Sequence, residues 1–183
     1  LSGTAHKIHG PKGIAFMYIK GDHMIPPYML GGAQERNMRA GTENIYGIAG
    51  FAKAFELALQ DMESRKTDIT ELRKYFRKEL LQAIPDVQIN GPQHDEGLYH
   101  ILSVSFPSTP KNEMLIYNLD IHKICSSAGS ACSSGTNTGS HVLAAINPDR
   151  DRITIRFSFS HLNTIEEVDQ VVQVLKEIML PNN

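Results

Sequence analysis

The stretch Ile153-Thr154-Ile155-Arg156-Phe157-Ser158, followed closely by Thr164-Ile165-Glu166-Glu167-Val168, decides the fold. Its first half alternates, sending Ile153, Ile155 and Phe157 to one face of a strand and Thr154, Arg156 and Ser158 to the other. Its second half opens with a capping box, Thr164-x-x-Glu167, and then repeats Val168, Val171, Leu175 and Ile178 at helical spacing until Pro181. A half-apolar strand next to a half-apolar helix is the unit from which a mixed helix–sheet domain is built.

Working back along the chain, candidate strands lie at Val87–Ile89, Ile101–Phe106 and Ile121–Ile124, and short helices near Glu113–Leu119 and Ser140–Ile146. Ser140 suits the N-cap of the second of those helices. Together these make an α/β or α+β domain of roughly 100 residues. Before it, Ile45, Ile48, Ala52, Phe55, Leu59 and Met62 recur at steps of three and four, and Ile69, Leu72, Phe76 and Leu80 continue the pattern to Pro85. No Gly or Pro lies between residues 51 and 84. The spacing predicts one long bent helix, or two joined near Ser64–Thr67, bridging two bodies of structure. Residues 21–42 have no period and read as an ordered loop with a functional reason for its length. The apolar run Ile14–Ile19 reads as a buried strand.

The composition is that of an ordinary globular chain: 183 residues, 41% hydrophobic and 21% charged. Eighteen basic and 20 acidic residues leave a net charge of -2, which gives no reason to expect a nucleic-acid or anionic-membrane partner. Arg73, Lys74, Arg77 and Lys78 beside Glu71 and Glu79 read as a solvated helix face. No apolar run is long enough to span a bilayer. The first residues lack the layout of a secretory signal, and the chain starts without Met. Two cysteines, Cys125 and Cys132, are too few for a disulfide framework and wrongly spaced for a zinc pair; they fit a reducing, cytoplasmic compartment. The histidines show no ligand spacing, so no metal is expected.

Four places hold groups with chemical potential. Cys132 sits in Gly129-Ser130-Ala131-Cys132-Ser133-Ser134-Gly135, a loop too poor in apolar residues to bury its thiol by packing. Cys125, at the end of the strand candidate Ile121–Ile124, reads as a buried filler. His6-Lys7 precedes Gly10-Pro11-Lys12-Gly13; a lysine between hydroxyl or imidazole groups and close-approaching glycines suits imine chemistry beside a phosphate, though the pair also reads as two exposed residues near a turn. Arg156 faces away from the apolar side of its strand and suits bidentate capture of a carboxylate, or a plain surface position. Thr42, at the start of the long helix, could receive a phosphate or simply cap the helix.

The order of these motifs is more telling than any one of them. S-x-x-A-H-K-x-x-G-P-K-G, then G-G-x-Q-E-R-x-x-R-x-G-T-E-N, then S-S-x-G-S-A-C-S-S, then S-H-V-L, then I-R-F-S-x-x-x-x-N-T-x-E-E closely resembles the NifS-like cysteine desulfurases of the class V aminotransferase family, from Leu1 through the final helix. The resemblance implies the C-terminal part of a fold-type I transferase dependent on pyridoxal 5'-phosphate (PLP), converting L-cysteine to L-alanine and leaving a persulfide. It assigns covalent cofactor attachment and proton transfer to Lys7. Cys132 would be the sulfur-accepting thiol, on a long, mobile loop, and Arg156 the substrate-carboxylate ligand. The cofactor phosphate would meet Thr4, where a serine is common, and His6, with Thr42 reaching the partner subunit's phosphate in a homodimer. Sulfur-acceptor proteins, such as an iron–sulfur scaffold, would be the partners.

The implied domains are residues 1–66, a remnant of the large PLP-binding domain with the bridging helix, and 67–183, the small C-terminal domain. Only six residues precede Lys7, whereas the resemblance places most of the cofactor-binding domain before that lysine. This chain by itself is therefore expected to bind little PLP and to be an inactive fragment, with Ile14–Ile19 open to intermolecular pairing. A related PLP enzyme, such as a selenocysteine lyase, and a non-catalytic dimerising domain are the alternative readings.

Overall fold

The computed structural model describes residues 1–92, 97–110, 112–128, 141–146 and 152–180. The chain divides into two compact units, Leu1–Met62 and Glu63–Asn183.

In the first unit, β1 (Ser2–Thr4) pairs antiparallel with β2 (Ala15–Met17), with Gly3 opposite Phe16. Between them a 3-10 turn, Ala5–Ile8, ends at His9 in the left-handed region, φ 63°. Ala5 is the buried centre: its N–H donates to the Ile14 carbonyl at 3.2 Å, and its own carbonyl accepts from Gly10 N–H at 2.8 Å. A Cβ at Gly10 would stand 2.9 Å from the Ala5 Cβ and 3.0 Å from the Ala54 Cβ, so only glycine fits this approach. α1 (Ile45–Gln60) packs its Gly47, Gly50, Phe51, Ala54 and Ala58 side inward; Phe51 and Phe16 meet at 5.8 Å between ring centres.

The apolar series predicted for this helix is real but lies outward: Ile45, Ile48, Phe55, Leu59 and Met62 are exposed. A helix apolar on two sides needs two partners, and small residues let the Gly/Ala side approach the backbone turn more closely. The strand expected at Ile14–Ile19 is present, but it is exposed rather than buried, because its one neighbour is the three-residue β1.

Of the two alternatives for this stretch, one bent helix or two joined helices, the second holds. α1 ends at Gln60, Asp61 leaves helical geometry at φ -98° and ψ 6°, and α2 (Met62–Ala83) follows. The break falls at Asp61, before the expected Ser64–Thr67.

In the second unit, β3 (Gln88–Asn90), β4 (Ile101–Pro107), α3 (Leu115–Ile121), β5 (Ser127–Ala128), α4 (His141–Ile146), β6 (Arg152–Ser158) and α5 (Ile165–Met179) follow α2. The four strands form one sheet in the order β3-β4-β6-β5, each pair antiparallel. The core sets Leu102, Val104 and Phe106 of β4 with Ile155 and Phe157 of β6 on one sheet face, against Leu72, Phe76 and Leu80 of α2 and Val168, Val172 and Leu175 of α5; Ile153, Val171 and Ile178, expected inside, are half-buried at its margin while Val172 is buried. Phe76 meets the edge of Phe157 at 5.0 Å and 87°. Each such buried side chain stabilises by about 1.5–3 kcal/mol relative to exposure.

Thr164 caps α5 as read: its Oγ1 accepts from Glu167 N–H at 3.3 Å, and the Glu167 carboxylate accepts from Thr164 N–H at 3.1 Å. Ile121–Ile124 is not a strand. α3 runs through Ile121 and a turn follows, with Lys123 at φ 62°, so the strand forms later at Ser127–Ala128. Cys125 is exposed, not buried; Ile124 takes the inward position. In α2, Arg73, Lys74, Arg77 and Lys78 all line one groove; the arginines are half-buried, and the more exposed Lys74 and Lys78 pair with Glu71 and Glu79. Ser140 lies outside the described residues.

Candidate active-site residues and relatives

Thr4, His6 and Lys7 come together because one strand runs directly into one tight turn. Thr4 closes β1 in extended geometry, φ -123° and ψ 138°. The 3-10 turn then presents His6 and Lys7 outward while Ala5 is pinned inside. The Thr4 hydroxyl is buried and has no hydrogen-bond partner among the described residues, an arrangement that ordinarily costs free energy.

Thr42 stands apart from that turn in sequence and role. It is exposed and lies two residues before the true N-cap, Asn44, whose Oδ1 accepts from Gly47 N–H at 3.0 Å. The capping role that Thr42 was equally open to therefore belongs to Asn44. Upstream, Glu35, Arg36 and Asn37 have φ of 48°, 56° and 64°, three successive left-handed residues without a glycine. Each costs about 1–2 kcal/mol. The turn is closed by Gln34, whose Oε1 accepts from Gly41 N–H at 3.1 Å, and by Asn37 N–H donating to Gln34 O at 3.0 Å.

Arg156 belongs to the second unit. It projects from the polar side of β6, as its alternation predicts, and is half-buried. One line of register crosses the whole sheet there: Asn90 is opposite Ser103, Ser103 opposite Arg156, and Arg156 opposite Ser127. Arg156 Nη2 donates to Ser127 Oγ at 3.5 Å, while its Nε is buried without a partner among the described residues. On the same face Asn90 Nδ2 donates to Ser103 Oγ at 3.1 Å and to Ser105 Oγ at 2.8 Å, and Ser105 shares a 2.7 Å hydrogen bond with Thr154.

Cys132 lies outside the described residues. The last described residue before it is Ala128 of β5, four positions upstream in sequence. Ser127, which contacts Arg156, stands in the quoted S-S-x-G-S-A-C motif, but nothing local marks it among several serines. Its signal is the cross-strand register, which a single strand of sequence does not carry.

Among the described residues no group of three or more His, Cys, Asp or Glu converges as a metal site, and no helix is long and apolar enough to cross a membrane.

A mixed helix–sheet chain carrying these residues in this order finds its family directly: the class-V aminotransferase family matches residues 1–171, and the chain belongs to it. The family is PLP-dependent. Within it, the chain is 41% identical to the cysteine desulfurase IscS of Dictyoglomus turgidum over 98% of this chain and 45% of that protein. It is 38% identical to a cysteine desulfurase of Nostoc, with the same coverage. Among solved structures, the NifS-like protein from Rickettsia africae superposes with a TM-score of 0.80 at 30% identity, covering 95% of this chain and 45% of that one. The chain thus spans about half the length of the relatives it matches. The fold expectation, part of a class V transferase with mixed helix and sheet, is borne out.

Proposed function

We propose that the whole protein is a PLP-dependent cysteine desulfurase, taking sulfur from L-cysteine onto Cys132 as a persulfide and releasing L-alanine. The observation that carries this reading is the pairing of Ser127 with Arg156, which ties the segment leading to Cys132 to the proposed carboxylate ligand. The named relatives support the same reaction.

The residues fit the cofactor. Thr4 offers a buried hydroxyl with no partner, suited to a phosphate oxygen, and His6 follows two residues on. Lys7, exposed on the same turn, supplies the amine for covalent attachment and then holds or returns the proton at the substrate carbon. When bound, PLP supplies the electron sink for that carbon. Arg156 binds the substrate carboxylate and fixes the orientation of its side chain. The Cys132 thiolate attacks the substrate sulfur; the carbon–sulfur bond breaks, and the sulfur remains on the enzyme at the persulfide level.

Residues 1–66 would contribute part of the large domain and residues 67–183 the small one. The strained turn at Glu35–Asn37 and the exposed Met24, Tyr28, Leu30 and Tyr46 support a homodimer in which Thr42 reaches the phosphate of the partner's site. A cytoplasmic enzyme delivering sulfur to acceptor proteins, such as an iron–sulfur scaffold, completes the proposal. The test is production of alanine and sulfide from L-cysteine by the full-length protein with a thiol reductant. Loss of at least a hundredfold in Cys132→Ala and Lys7→Ala supports the reading, and turnover that survives loss of the thiol contradicts it.

A further inference from the structure

We propose that Ser127 is a positioning residue for Arg156, holding the guanidinium so that its terminal Nη pair faces the substrate carboxylate. This rests on the reading of Arg156 as the carboxylate ligand. A guanidinium has five N–H donors and two forked edges, one through Nε and Nη2 and one through the two Nη atoms. Arg156 Nε is buried, which closes the first edge to an incoming anion. Nη2 is held by Ser127 Oγ through one of its two hydrogens. The edge left to a carboxylate is the terminal one, formed by one hydrogen of Nη1 and one of Nη2, and it stays open when Ser127 takes the Nη2 hydrogen on the Nε side.

The sheet makes Ser127 the residue for this task. Ser103 is the other cross-strand neighbour of Arg156, but among the described residues its hydroxyl accepts from Asn90, and the side-chain hydrogen bond of Arg156 goes to Ser127. Ser127 sits on β5, the two-residue edge strand whose main-chain pairing to β6 is also at Arg156 and Ile155. The same residue therefore sets the guanidinium and anchors the chain that leads to Cys132. Carboxylate capture and the origin of the nucleophile's tether share one register point.

The experiment compares full-length wild type with Ser127→Ala, Ser127→Thr and Ser103→Ala by crystal structure and by steady-state turnover of L-cysteine. Arg156 is expected to keep one rotamer in wild type, Ser127→Thr and Ser103→Ala, and to move or split in Ser127→Ala. The KM for L-cysteine should rise about fivefold in Ser127→Ala, the loss of one weak hydrogen bond to a charged donor, with kcat within about twofold and recovery in Ser127→Thr. An unmoved Arg156 in Ser127→Ala, an equal effect in Ser103→Ala, or a fall in kcat with constant KM would overturn the assignment. If no variant turns over L-cysteine, the desulfurase reading fails, while the rotamer of Arg156 still decides the role of Ser127.

Discussion

The Tyr75 hydroxyl donates to Asp169 Oδ1 at 2.7 Å, joining the middle of α2 to the first half of α5 across 94 residues of sequence. The hydrogen bond and the carboxylate charge both favour the protonated phenol, and they raise its pKa to about 12. A raised pKa means that the contribution of the neutral phenol is complete below the ordinary value near 10 and is lost as pH climbs through 12. Ultraviolet difference titration of the six tyrosines should show one late component. Asp169→Asn should bring it back toward 10, and Tyr75→Phe should remove it.

The start of α5 makes the opposite prediction at acid pH. Glu166 is held below the ordinary carboxylate value by its own backbone N–H, then by the Thr164 hydroxyl. A lowered pKa stabilises the fold above the unfolded value and loses that contribution as pH falls through the folded one. Melting temperature should therefore drop as pH is taken from 6 to below 4, and Glu166→Gln should flatten that drop. Thr164→Ala removes the cap as well and should cost about 1 kcal/mol at neutral pH.

Phe76 bears most directly on the core. It is 2% exposed and packs against Phe157 at 5.0 Å and Phe159 at 5.9 Å. Phe76→Ala should cost about 3–5 kcal/mol in urea unfolding, through lost burial and the cavity left behind. Tyr75→Phe, one residue earlier but half-exposed, should cost much less than Phe76→Ala in the same unfolding experiment.

The Thr4 hydroxyl gives a prediction for the cofactor. In the full-length protein Thr4→Val, which keeps the shape and removes the hydroxyl, should weaken PLP about tenfold by absorbance titration, the worth of one charge-assisted hydrogen bond. Thr4→Ser should restore it. Equal affinity in wild type and Thr4→Val would show that the buried hydroxyl has another purpose.

Periodicity made the second unit legible. Ile155 and Phe157 on one side of β6, and Val168 and Leu175 along α5, are buried where the alternation and the helical spacing put them, since both faces of that contact are encoded nearby in the chain. The first unit was harder to read because α1 is apolar on two sides. Spacing found the series through Ile45, Phe55 and Leu59, but the packed side is the quieter Gly47, Gly50 and Ala54, chosen by how closely a backbone turn can approach. The segment around Cys125 misled because Ile121-His122-Lys123-Ile124, two apolar residues three apart, fits a helix end at least as well as a strand. Lys7 and Arg156 stand in legible motifs; Ser127 does not, because its proposed role comes from a hydrogen bond between strands 29 residues apart.

The most direct test of the central claim is mass spectrometry of the full-length, PLP-loaded protein after brief exposure to L-cysteine, with no thiol reductant added. The account predicts one added sulfur atom, removable by dithiothreitol, on the peptide containing Cys132, none on the peptide containing Cys125, and matching release of L-alanine. Alanine formed with Cys132 unmodified, or persulfide on Cys125 in its place, would contradict it.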